Sequence, residues 1–171
     1  MITERQYIKD NLYDFFEELL QEEGITGIPI IWGNDNGPRP DAPFLMLEFR
    51  STSNPGMPDF GDVQIEEGGT EVQRVTQYTR RNMTMYGFGE RAIDVLETIK
   101  SQLNISDWID KLRSRNLVIP QVFETLETPQ SFETVRENGA SFDFDLTYLR
   151  VLENSPGYID GFGLKPDFGI G

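Results

Sequence analysis

The chain has no cysteine and no histidine among its 171 residues. The first absence excludes disulfides, thiolate nucleophiles and thiolate zinc sites. The second removes the usual general base near neutral pH and the commonest transition-metal ligand. Any catalysis would fall to carboxylates, Lys, Tyr or Ser. Cations are scarce: 15 Lys and Arg against 29 Asp and Glu leave a formal net charge of -14. A free-standing DNA binder needs clustered Lys and Arg to meet phosphates, so this balance argues against one. The same balance suits a wall that DNA slides past, because an acidic surface repels phosphate. No run approaches the roughly 18 apolar residues of a membrane-spanning helix. The first ten residues are charged throughout and lack the apolar core of a secretory signal, which leads us to expect no membrane partner.

What is present is an ordered succession of patterns. Hydrophobic residues make up 37% of the chain and charged ones 26%, enough for one domain with a proper core and too apolar for wholesale disorder. Thr3 and Gln6 have the spacing of a capping box. Ile8, Leu12, Phe15, Phe16 and Leu19 then recur on one face of a helix that ends near Glu23, with Gly24 as the stop. Residues 28–32 read as a short strand, which Pro29 confines to an edge or a strand start. After a Pro-rich loop, residues 44–49 read as a mostly buried strand. A second loop, 51–61, holds Pro55, Met57 and Phe60, a candidate contact for a partner.

Residues 70–86 form a long, β-prone and polar stretch. Met83 and Met85 share one phase, Thr84 and Tyr86 the other. A strand this polar on both faces is expected to project as a ribbon, paired with residues 63–66 across Gly68-Gly69. A second helix is expected over about 90–103, and Ser106 is placed as the N-cap of a short third one. One or two strands are expected within 117–125. Ala140, Phe142, Phe144, Leu146 and Tyr148 alternate with polar residues, the signature of a half-buried strand. The fold expected is α/β (α+β): a mixed, mainly antiparallel sheet flanked by two main helices. It is a single domain over 1–154 with a projecting β-ribbon, followed by an extended C-terminal arm over 155–171.

Few constellations suggest chemistry. Residues 87–92, Gly-Phe-Gly-Glu-Arg-Ala, fit a dinucleotide fingerprint between strand and helix. Yet the preceding strand is not an apolar run, and Glu90 would set a carboxylate against the pyrophosphate. A tight turn that needs glycine explains the pattern better. Asp143 and Asp145 share a strand face, which suits Mg²⁺ or a carboxylate-dependent hydrolase, but equally a solvated face or an interface. Arg74, Arg80 and Arg81 form a cationic stripe in an acidic chain. They read either as charges guarding an exposed strand edge or as a contact with an acidic patch such as Asp143 and Asp145 on another copy. No catalytic, cofactor-binding or metal-ligating residue is assigned, and no cofactor is expected.

Four segments carry a resemblance: 28–34 (Ile-Pro-Ile-Ile-Trp-Gly-Asn), 38–49, 86–92, and 132–148 with its aromatic, acidic and Arg pattern before the alternating strand. Together they resemble the phage tail terminator family, in particular the neck terminator proteins of contractile-tailed bacteriophages. The resemblance implies a structural virion protein, not an enzyme, assembled in the host cytoplasm and placed at the tail–neck junction. It implies a homo-hexameric ring on the tail tube that ends tube growth. The implied partners are the tail tube protein, the tail sheath protein and a neck or head-completion protein, with DNA passing through the channel without specific binding. A head–tail connector or a tail-completion adaptor would carry similar patterns.

Overall fold

A computed structural model of the chain describes residues 4–33, 35, 37–53, 63–65, 71–127, 130–132 and 135–154. The chain divides into two compact units: Met1–Ser53 with Arg80–Tyr148, and Asn54–Thr79 with Leu149–Gly171. Residues 155–171, expected as an arm, lie outside the described residues, as do Thr3, Pro55, Met57 and Phe60.

The first unit opens with helix α1, Glu4–Glu22, whose buried face is Ile8, Leu12, Phe15, Phe16, Leu19 and Leu20. Gly24, at φ 69°, ends it. The amide of Gly24 donates to the Gln21 carbonyl and that of Ile25 to Leu20, so the last turn is closed as a glycine stop requires. Strand β1, Ile30–Trp32, runs parallel to β2, Phe44–Ser53. Pro29 sits just before it, and its carbonyl accepts from Leu45. Strand β4, Glu71–Phe88, is antiparallel to β2 and pairs Phe44 with Phe88 and Phe49 with Met83. Beyond helices α2, Glu90–Gln102, and α3, Ser106–Ser114, come β5, Leu117–Val122, and β6, Leu126–Glu127. Strands β7, Gln130–Phe132, and β8, Val135–Glu137, form a separate hairpin. The alternating segment becomes β9, Gly139–Asn154.

The sheet order is β1-β2-β4-β9-β5, with β6 on β9. It is mixed and mainly antiparallel, as expected. β1 lies at an edge, where a flanking proline costs no ladder bond. In the second unit, strand β3, Val63–Ile65, pairs antiparallel with Glu71–Gln73 of β4, the ribbon pairing read from the sequence. Ser106 differs from expectation. It is the first helical residue of α3, with Ile105 at the N-cap and no side-chain cap bond. Ile105 takes the extended conformation that a cap needs, and Asp107 supplies the acidic first turn.

Alternation along the strands sorts the core to one side. Leu45, Leu47, Met83, Met85, Phe142, Phe144 and Leu146 pack with the apolar faces of all three helices. Phe16 meets Phe15 and Phe144 edge to face, and Phe15 meets Trp108 of α3 at 5.6 Å. The opposite face carries a small buried cluster of Phe44, Tyr86 and Phe88, against which Ile31 and Met46 pack and no helical residue among those described. Among the described residues, helices therefore cover one face of the sheet and leave the other open.

An ion-pair cluster ties α3 to α1. Lys111 lies 2.9 Å from Glu18, and Arg115 lies 2.7 Å from it. The Lys111 hydrogen bond, then that of Arg115, holds the Glu18 carboxyl below its ordinary range. A depressed carboxylate contributes stability that is present above its unfolded value and lost as pH falls through the folded one. Glu18→Gln should therefore flatten the acid limb of a stability-versus-pH curve below about pH 4.3. The flattening equals the stability that the variant loses at neutral pH, and both should be small because exposed pairs are weak. Urea denaturation across pH 2–7 would measure it; an unchanged acid limb would exclude Glu18 as a contributor.

Candidate functional site

The face of the sheet that the helices leave open concentrates polar residues, several of them buried by their neighbours. Arg50 is the residue skipped by the register shift between Phe49 and Ser51 in β2. A bulge of this kind re-aims a side chain. Its Nε donates to Thr84 Oγ1 at 3.1 Å, and its guanidinium also donates to the Tyr86 hydroxyl. Thr84 in turn donates to Asp143 at 2.5 Å. A relay of hydrogen bonds thus crosses β2, β4 and β9, and explains how Thr84 can be 2% exposed without a penalty. Burial pushes the Tyr86 hydroxyl above its ordinary value, so it stays neutral as an acceptor for Arg50.

A second pair lies further along the same two strands. Arg80 is bonded to Asp145, and Asn82 Nδ2 donates to the other oxygen of Asp145 at 3.4 Å. Asp145 is 3% exposed, whereas Asp143 is exposed. The two carboxylates that share a strand face therefore have different lives. One is buried and held by donors from β4; the other rests on Thr84 and faces out. Among the described residues, no group of three or more carboxylates gathers in a way that could hold a metal ion.

Arg81 points the other way, toward the helices. Its guanidinium bonds the Tyr148 hydroxyl at 2.8 Å and the Glu4 carboxylate at 3.1 Å, and Tyr148 also donates to Glu4. Burial first, and then the Glu4 bond, raises the Tyr148 hydroxyl, while Arg81 opposes both. The triad pins the first turn of α1 to β4 and β9. Arg74 lies in β4, but its side chain is outside the described residues. The cationic stripe is thus split: Arg80 meets its Asp on the open face of its own chain, and Arg81 is committed to the helical side.

The burial contrast sets an order of effects. Asp145→Ala removes a buried acceptor of two donors, whereas Asp143→Ala removes an exposed carboxylate that accepts from Thr84 alone among the bonds described. Asp145→Ala should lower the melting temperature clearly more than Asp143→Ala. Equal shifts in a thermal melt would contradict this assignment.

Beside the relay lies a groove of about 610 Å³, lined in part by Arg50, Tyr86, Phe123, Leu126 and Asp143. Phe123 and Leu126 are 38% and 63% exposed. At the end of the open face, Arg39 from the Pro-rich loop stacks on Phe44 and Phe88 at 4.8 and 4.5 Å. Arg50, Arg39 and Thr84 had only weak signals in the sequence. Thr84 and Tyr86 share a strand phase, but a bulge and a loop cation leave no periodic mark.

The fingerprint-like turn has a packing explanation. A Cβ on Gly87 would lie 2.8 Å from Leu96 Cδ1 and 2.9 Å from the Ala92 carbonyl oxygen. Gly89, at φ 87° and ψ 150°, is the N-cap of α2, and its amide donates to the Asn138 carbonyl. Both glycines serve the close strand-to-helix passage.

What the face can do chemically is present mixed charge, hydroxyls and exposed aromatic surface to another macromolecule. No curated protein matches the chain. A protein-family model described as phage neck terminator protein matches residues 8–169, which takes in the helices, the sheet and the ribbon. The chain therefore belongs to the phage neck terminator proteins, structural components of the phage tail and neck that act through contacts with other tail and neck proteins.

Proposed function

We propose that the protein forms a homo-hexameric ring that caps the tail tube, ends its elongation and joins the tail to the neck. The observation that carries this reading is the family match over residues 8–169, joined to a sheet whose helices, among the described residues, lie on one face. The helix-free face offers neighbours the exposed Arg50, Phe123, Leu126 and Asp143, and a ring uses two different surfaces of each subunit. The tube protein meets one end of the ring, the neck or head-completion protein the other, and the sheath protein its outside. Assembly takes place in the host cytoplasm. DNA traverses the channel without specific contacts, in keeping with a net charge of -14. Arg80 and Asp143 on the open face, Arg74 on β4 and the residues Pro55, Met57 and Phe60 are offered as contact residues.

The test is a growth assay. Purified protein added to polymerising tail tube protein should arrest elongation, so that tube length falls as its concentration rises. Tubes of unchanged length, with none of the protein at their ends, would contradict the reading.

A further inference from the structure

Two surfaces of the first unit complement each other and cannot meet within one chain. The first lies at the start of α1. Trp32 and Phe49 stack with ring centroids 5.1 Å apart, and both are half-buried. Arg5 lies over Phe49 at 5.1 Å, Arg81 over the same ring at 5.4 Å, and Lys9 over Trp32 at 5.2 Å. Lys9 pairs with Asp35 and Arg81 with Glu4. Arg5 is exposed, and a guanidinium stacked on a ring keeps its edge N–H groups available for a carboxylate. Trp and Arg are enriched in binding hot spots, and Phe is enriched at interfaces.

The second surface is the outer face of α2. Glu90, Asp94 and Glu97 are exposed and spaced four and three residues apart, so they share the stripe opposite the buried Ala92, Val95 and Ile99. The first turn of α2 sits at the far end of α1, because Arg91 donates to the carbonyl of Thr26 at 2.9 Å, beyond the end of that helix. A helix of 19 residues is about 28 Å long. The cationic platform and the start of the acidic stripe are therefore at opposite ends of α1.

We propose that the Arg5–Trp32–Phe49 platform of one copy receives the Glu90–Asp94–Glu97 stripe of a second copy, head to tail. Copies carrying a net charge of -14 repel on average, and a contact that brings cations of one to carboxylates of the other offsets that repulsion. This pairing does so, and being heterologous it propagates around a ring. It rests on the ring reading and adds the surfaces that close it.

Sedimentation velocity of the concentrated full chain tests it, with Arg5→Glu, Asp94→Arg and the double variant. Each single change should lower the association constant about tenfold or more, because like charges then face each other. The double change restores the pair in reversed sense and should recover assembly. Both single sites are exposed, so circular dichroism should show all three variants folded. If the wild-type protein assembles but the single variants assemble equally well, or the double variant is no better than either, the pairing is overturned and the ring stands. A wild-type protein that stays monomeric at every concentration overturns the pairing, while the ring reading is decided separately by whether the protein seats on tail tube ends.

Discussion

Phe16→Ala is expected to destabilise the protein by about 3–5 kcal/mol, a large part of a typical domain's stability. Phe16 is 0% exposed and stands where α1 meets the sheet, edge to face with Phe15 at 5.2 Å and with Phe144 at 6.2 Å. Truncation loses the transfer energy of the ring and leaves a cavity between two rigid layers that cannot both collapse into it. Phe16→Leu, which keeps most of the volume, should cost much less. Urea denaturation of the two variants would measure the difference. Similar small losses would mean that the α1 interface is loose rather than close-packed.

Gly87→Ala should cost about 1–3 kcal/mol although it adds a single methyl group. The new Cβ would meet Leu96 Cδ1 at 2.8 Å and the Ala92 carbonyl oxygen at 2.9 Å. Leu96 can give way, but the backbone of α2 cannot do so without lifting the helix from β4. Leu96→Ala in the same chain should therefore relieve only part of the strain, and the two effects should be non-additive. The resulting loss would be read from the same denaturation curves. A Gly87→Ala protein as stable as the wild type would show that α2 moves freely on the sheet. The same contact explains a motif that reads as a nucleotide fingerprint: glycine is needed for close helix–strand packing.

The parts of the fold that were legible in the sequence are those where burial imposes a period. Ile8 to Leu19 on α1 and Ala140 to Tyr148 on β9 each line one buried face, and both follow from spacing alone. The ribbon was legible because the Gly68-Gly69 pair stands in the sequence between Val63–Ile65 and Glu71–Gln73, which pair. The short strand β6 and the hairpin of β7 and β8 were not, since two or three residues carry no period. Ser106 was misplaced by one position because its residue type suits a cap that Ile105 fills by backbone conformation.

The charged residues were legible only as types. Arg80 and Asp145 are opposite in sign and 65 residues apart, and the sequence cannot say whether they meet within a chain or between chains. The pairing of β4 with β9 brings them together in one chain. Arg81, one residue on, falls on the other face by strand alternation and finds Glu4 and Tyr148. The stacked cations over Trp32 and Phe49 needed the edge strand, the bulged strand and the first turns of α1 in place before they could form one surface.

The central claim is that this chain closes into a ring at the end of a tail. Electron microscopy of the concentrated protein, alone and mixed with tail tubes, tests it most directly. The account predicts closed six-fold rings with an open centre, free or seated on tube ends. Monomers in solution together with bare tube ends would contradict it.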